Sequence, residues 1–335
     1  MKKLFILLCA FTALCLCTAA LGEVTLSNTL NGKRFDVTYP DPARIVSTSG
    51  VTTEMLLALG LGDRIAGCCG AENDIYYEYV DAYAALNQLG EGWPSEEALL
   101  GVEPDFLIGM ADCFSDEHFN REFCEKNGIA PYVPKIAGKD PGIEAIYEDL
   151  TNLGEIFGVQ DKAAWIVSSL QSRIDLARAV VADQEVVRVF LYDTGDEKPV
   201  TLGGGIASAL IRAAGGRNVF ESKFTGRDSV TWKAVAEADP QYIIVLDSFS
   251  GGDAQQKCDA LYANEALAEV DAVQNGNIFI LALTDIAGGI RSADTVEIMS
   301  DHFHLESFLE ARAPAADFGG LIVQTADSKT KCRMV

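Results

Sequence analysis

Histidine is nearly absent from this chain, with three in 335 residues: His118, His302 and His304. Zinc or manganese centres built on several imidazoles need more than that. His302 and His304, two apart on a predicted helix, do not share a face. Basic residues are also scarce, 26 Lys and Arg against 49 Asp and Glu, for a formal charge of −23. A surface this acidic repels nucleic acid and anionic lipid, so neither is expected as a partner. Beyond the first residues no apolar run is long enough to cross a bilayer. No G-x-S-x-G elbow, H-E-x-x-H helix or paired C-x-x-C occurs. An enzyme on this chain would have to rest on a cysteine group or on Asp193.

The first residues, MKKLFILLCAFTALCLCTAALGE, join Lys2 and Lys3 to an apolar run that ends in small residues. That pattern is a secretory signal peptide, residues 1–22, with cleavage after Gly22. Cys15 follows Leu14 and Cys17 follows Leu16, whereas a lipidated Cys needs a small residue before it. The expected product is therefore a soluble protein, periplasmic or otherwise extracytoplasmic, with a lipid anchor disfavoured. Six cysteines remain after the signal: Cys68, Cys69, Cys113, Cys124, Cys258 and Cys332. An export compartment permits disulfides, but their pairing is not legible from spacing.

Two stretches far apart read alike: WPSEEALLGVEPDFLIG at 93–109 and TWKAVAEADPQYIIVLD at 231–247. Each carries a Trp, a short amphipathic segment, a Pro (Pro104, Pro240) and an apolar strand. ARIVSTSGVTTEMLLALGLGDRIAG reads as strand, polar loop, helix stopped at Gly60, and a second strand at Ile65–Ala66. VRVFLYDTGDEKPVTLGGGIASALIRAAGGRNVF repeats that opening, with a strand over Val187–Tyr192 and a helix ending at Gly215. Two βαβ series predict two α/β lobes with parallel sheets. Between them apolar positions at helical spacing predict one helix to about Gly158. A second is capped by Asp161 and runs to about Val181, spanning roughly 30 Å at 1.5 Å per residue. The last part predicts a helix, an edge strand over Asn277–Leu283, a loop holding Arg291 and a closing helix.

The ordered set ARIVSTSGVTTEMLLALGLGDRIAG, SEEALLGVEPDFLIG, the helical linker, GGGIASALIRAAGGRNV, WKAVAEADPQYIIV and VDAVQNGNIFIL resembles the periplasmic binding proteins that deliver ferric siderophores, haem and cobalamin to ABC importers. The resemblance covers roughly residues 40 to 310. It implies an α/β fold of two Rossmann-like lobes bridged by a long α-helix, with the ligand cleft between them. The implied layout is a signal at 1–22, a first lobe at 40–140, linking helices at 141–184, a second lobe at 185–312 and a tail at 313–335. It also implies a monomer that is no enzyme, needs no cofactor, and hands an intact metal chelate or corrinoid to a permease and its ATPase. Siderophore, haem, ferric citrate and cobalamin all remain open. The alternative is an extracytoplasmic metal-cofactor enzyme or a ligand sensor on the same scaffold.

Candidate ligand groups follow from position. Ser47, Thr48 and Ser49 offer hydroxyls at a helix N-terminus, where an anionic group is stabilised, or else simply cap that helix. GGGIASA lacks the nucleotide-binding glycine patterns, so a close backbone approach or a tight turn is the reading. Tyr76, Tyr77, Trp93 and Phe114 supply aromatic faces on the first lobe, with Tyr79 beside them, and Tyr192 and Lys198 hold the equivalent place in the second. Arg291 is positioned to grip a carboxylate bidentately. The resemblance implies permease docking through a carboxylate on each lobe, seven residues before the Pro. That is Glu97 in the first lobe, but the same count gives Lys233 in the second, with Glu237 one turn later as a substitute. Cys68, Cys69 and Cys113 follow strands near the cleft, where burial or a disulfide is favoured over a soft-metal site.

Overall fold

The computed structural model describes residues 23–90 and 92–304. The signal peptide, Cys332, the tail and the end of the closing segment lie outside the described residues. The described residues open with a hairpin. β1 (Val24–Leu30) and β2 (Lys33–Tyr39) pair antiparallel through a two-residue turn, Asn31-Gly32, both at positive φ. Asn-Gly is the pair that such a turn favours, so the signal was present. The hairpin is tied to the first lobe. The buried Asn28 donates to the Tyr39 hydroxyl and accepts from Val133 N, and the Tyr39 hydroxyl donates to the Pro131 carbonyl.

The first lobe's sheet comprises β3 (Ile45–Ser47), β4 (Ile65–Cys68), β5 (Phe106–Ile108) and β6 (Ala130–Tyr132), all parallel, in the spatial order β4-β3-β5-β6. The second lobe contains β7 (Val187–Tyr192), β8 (Val200–Leu202), β9 (Gly216–Asn218), β10 (Arg227–Ser229), β11 (Tyr242–Asp247) and β12 (Ile278–Ala282). β8 and β10 form a separate antiparallel pair, while the parallel sheet runs β12-β11-β7-β9. Numbered within its own lobe, each parallel sheet has strand order 2-1-3-4. The two lobes are therefore the same doubly wound unit. In such sheets ligands bind beyond the carboxyl ends of the strands, where successive connections diverge to opposite sides. Here that place lies between β3 and β5 in one lobe and between β7 and β11 in the other.

The recurring unit is confirmed at the level of caps. Ser95 accepts from Ala98 N to start the helix Glu96–Gly101, and Thr231 accepts from Ala234 N to start Trp232–Ala238. Both units then turn through a left-handed residue just before the proline, Glu103 at φ 49° and Asp239 at φ 41°. The two tryptophans are not equivalent, however. Trp93 precedes its cap by two residues, whereas Trp232 is the first residue of its helix and packs against Tyr192, ring centroids 5.3 Å apart.

The linker is two helices, Glu144–Phe157, ended by Gly158 in the left-handed conformation, and Gln160–Val181. The second, with 22 residues, is about 33 Å long. Asp161 lies inside its first turn rather than capping it, since the helix begins at Gln160 with no side-chain cap. There its carboxylate still complements the helix dipole. Ile146, Leu150 and Leu153 from the first helix and Ile166, Leu170 and Ile174 from the second enter one core shared with both sheets. A core continuous across the lobes leaves no free hinge between them.

Candidate functional site

The facing carboxyl ends of the two sheets enclose a cleft of about 580 Å³. Thr48 and Ser49, after β3, and Met110, after β5, form its first-lobe floor, and Gly203–Ala207 and Thr284 line the opposite wall. A wider hollow of about 1290 Å³ adjoins it and shares Gly70, Glu72, Trp93 and Ser250 with it. Apolar side chains of Ile75, Val80, Tyr83 and Phe249 line this outer space. Trp93, Val80 and Phe249 are large hydrophobics left 42%, 48% and 69% exposed at the rim. Burying such surfaces would gain about 25 cal/mol per Å² covered, so the rim favours a ligand with apolar faces.

Two glycines give the cleft its shape. Gly70 sits at φ +68°, and a Cβ there would lie 2.7 Å from the Thr48 carbonyl. At Gly203 a Cβ would run into the Phe224 backbone. The Gly-rich turn is thus needed for close packing at the cleft wall. It opens the helix Ile206–Ala213, whose first turn has no side-chain cap.

The helix N-terminus of the first lobe is already occupied by the protein. Ser49 Oγ accepts from Thr52 N at 3.2 Å, and Glu72 Oε2 accepts from Gly50 N at 3.1 Å. Burial raises the Glu72 carboxyl above its ordinary range, against the pull of backbone donors, and Glu54 adds to the rise. An anionic ligand group would meet this carboxylate, so the expected anion site at Ser47–Ser49 is filled from within. Ser47 is fully buried, and its hydroxyl bonds those of Thr52 and Thr53.

Arg291 is the clearest correction. It does not line the cleft but is buried in a seam where the loop after β4 meets the second lobe. Its Nε donates to Glu54 Oε2 at 2.9 Å, Nη1 to Asp285 at 3.0 Å, and Nη2 to Glu54 and to the Asp74 carbonyl. Tyr76 belongs to the same seam. Its hydroxyl donates to Asp294 at 2.5 Å, and the Arg291 guanidinium lies 5.5 Å from its ring centroid. Asn73 completes the join, donating to the Asp247 carbonyl and accepting from Thr284 N and Oγ1. The loop position placed Arg291 correctly between the lobes, but two acidic side chains of the protein consume its donors.

The other predicted residues divide. Thr48, Ser49 and Trp93 line the cleft, and Trp93 stacks on His118 with centroids 4.3 Å apart. Tyr77 is 74% exposed beside Tyr76. Phe114 and Tyr192 are core residues, 3% and 1% exposed, because the short helix and the strand carrying them turn those side chains inward. Lys198 is exposed but does not line the cleft. Cys68, Cys69, Cys113 and Cys124 are free, buried thiols. Burial pushes them up to between about 11 and about 12, which disfavours the thiolate that a soft metal needs. Among the described residues no group of His, Cys, Asp and Glu is arranged to hold a metal ion.

Sequence reasoning missed Glu72, Lys139, Arg227 and Phe249, all beside or at the cleft. Phe249 had a signal, as a lone aromatic in the polar run DSFSGG just after a predicted strand. Glu72, Lys139 and Arg227 had none, because only the juxtaposition of two lobes marks them out.

Residues 45–282 match the family model described as periplasmic binding protein. The chain belongs to the periplasmic binding protein family. Among solved structures, this binding protein is similar to a periplasmic binding protein from Veillonella parvula. The identity is 30%, over 84% of this chain and 98% of that one, with a TM-score of 0.79. It is also similar to an ABC-type Fe3+-hydroxamate transport system protein from Saccharomonospora viridis, at 25% identity over 83% and 99% of the two chains and a TM-score of 0.71. A vitamin B12-binding protein of Photorhabdus laumondii is 24% identical over 65% of this chain and 74% of its own. Family and relatives are binding proteins of transporters rather than enzymes. The two-lobed α/β architecture expected from the repeat is the fold these neighbours share.

Proposed function

We propose that this protein is the extracytoplasmic substrate-binding component of an ABC importer, carrying a bulky metal chelate or corrinoid of low net charge. The observation that carries this reading is the cleft between two doubly wound sheets, opening into a larger apolar-rimmed hollow. Together they suit a ligand larger than an amino acid or a bare ion. The cleft's fixed charges nearly balance, with Glu72 and Asp112 against Lys139 and Arg227. That balance, on a strongly acidic protein, favours neutral ferric hydroxamates or corrinoids over ferric citrate or tricatecholates.

Delivery requires a membrane permease with its ATPase. Glu97 is exposed on the first capped helix as a docking carboxylate. At the matching site Lys233 and Glu237 pair with each other at 3.6 Å. Docking is therefore asymmetric, carried by the first lobe, with the second presenting a self-neutralised pair. A thermal-shift screen of residues 23–335 against ferric trihydroxamates, cobalamin, haem, ferric citrate and free divalent metals tests the reading. A ligand at one hundred times its Kd adds about 2.7 kcal/mol. A shift with a neutral chelate or a corrinoid supports the proposal. Silence from every chelate, with a response to free metal alone, overturns it.

A further inference from the structure

The cleft contains one guanidinium whose hydrogen-bonding capacity is unspent. Arg227, at the start of β10, lines the cleft with its side chain 52% exposed. Its Nη2 lies 2.6 Å from Oδ2 of Asp193, a carboxylate 1% exposed at the end of β7. That contact is close in charge but not aligned as a hydrogen bond. Asp193 is itself held in place. Its N–H donates to the Val200 carbonyl, and its own carbonyl accepts from the buried Lys257 Nζ at 2.8 Å. A buried carboxylate thus pins an exposed guanidinium electrostatically and leaves its forked donors available to the cleft. Lys139 lines the same cleft and makes no ion pair among the described residues. Arg291, in the seam between the lobes, has no such freedom, since two carboxylates and a carbonyl take its donors.

Resting on the proposed function, we propose that Arg227, positioned by Asp193 and with Lys139 in the same cleft, recognises a single oxyanion arm, a carboxylate or a phosphodiester, on an otherwise near-neutral ligand. A guanidinium fork matches either group bidentately. The number of acidic arms is limited by Glu72 and Asp112, which share the cleft and would repel further negative groups. The protein's overall charge of −23 acts in the same direction at long range. The chemistry that fits is an apolar body spanning the rim at Trp93 and Phe249, with one acidic side arm reaching inward.

The test uses a ferric trihydroxamate and a corrinoid, each prepared with one side arm as a carboxylate and as the corresponding neutral amide. Dissociation constants are measured by titration with wild-type protein, Arg227→Gln and Asp193→Asn. The expected result is that the acid form of one scaffold binds about tenfold tighter than its amide, the value of a charge-assisted hydrogen bond. Arg227→Gln abolishes that preference. Asp193→Asn reduces the ratio of acid to amide affinity, a loss of selectivity that general damage to the lobe would not produce. Equal binding of acid and amide, or a preference that survives Arg227→Gln, overturns the assignment and leaves the proposed function standing. Failure of both scaffolds in every form overturns the proposed function, and this inference with it.

Discussion

Replacing Arg291 by methionine should cost stability rather than affinity, and the size of the cost follows from what the guanidinium leaves behind. The side chains of Arg291 and Glu54 are 9% and 2% exposed, and Asp285 is 20% exposed. Methionine fills much of the volume but leaves the Glu54 carboxylate buried with no cation and the Asp74 carbonyl without its donor. Removing one partner of a buried pair costs about 3–5 kcal/mol, chiefly through the stranded charge. The double variant Arg291→Met, Glu54→Gln removes that charge, so it should recover roughly 2 kcal/mol or more of the loss. Urea unfolding of residues 23–335, followed by tryptophan fluorescence, reads both through the shift of the midpoint at constant slope. A single-variant cost below about 1 kcal/mol, as for an exposed pair, would refute the seam argument. So would an additive double variant. The same proteins should bind ligand with wild-type affinity once folded, because Arg291 does not line the cleft.

Three further outcomes are expected. Burial pushes the Asp149 carboxyl up to about 7, opposed by donors from Lys135 N, the Tyr132 hydroxyl and Ile136 N. Its unfolded value is near 4, so its contribution to stability is whole below about pH 4 and is lost as pH rises through about 7. Wild-type stability relative to Asp149→Asn should therefore fall by roughly 4 kcal/mol across that window, and a pH-independent difference would contradict the burial argument. The buried Cys68, Cys69, Cys113 and Cys124 should stay unreactive to a thiol reagent at pH 8 until the protein is unfolded, whereas rapid labelling of the native protein would show a thiol open to the cleft. Trp93→Ala should weaken binding of the cognate ligand by about tenfold or more, the loss of a large aromatic contact, with little change in unfolding midpoint because Trp93 is 42% exposed.

Much of the fold was legible because it is written in local order. Period and punctuation announced the opening strand and helix of each lobe and the two linking helices. The paired signals at 93–109 and 231–247 announced two lobes, and the caps at Ser95 and Thr231 with the left-handed turns at Glu103 and Asp239 show why those segments look alike. Spacing from the proline marked Glu97 and Lys233 as equivalent, and both stand at the second position of their helices. The hairpin's Asn-Gly turn was equally local, although its docking through Asn28 and Tyr39 to residues about a hundred positions away was not.

The site was less legible, because side-chain roles depend on what arrives from the other lobe. The sequence by itself determined that the chain would build two parallel-sheet lobes and a cleft, since hydrophobic periodicity and turn residues act within a few positions. Only the tertiary structure decided which polar residues that cleft would keep. Glu54 and Asp285 draw Arg291 into the seam, Glu72 fills the helix N-terminus beside Ser49, and Asp193 holds Arg227 with its donors still free. The physical reason is that a charge in a buried or partly buried place is satisfied by its nearest opposite charge or backbone donor, and Glu54, Glu72 and Asp193 each meet theirs on a different element of the chain.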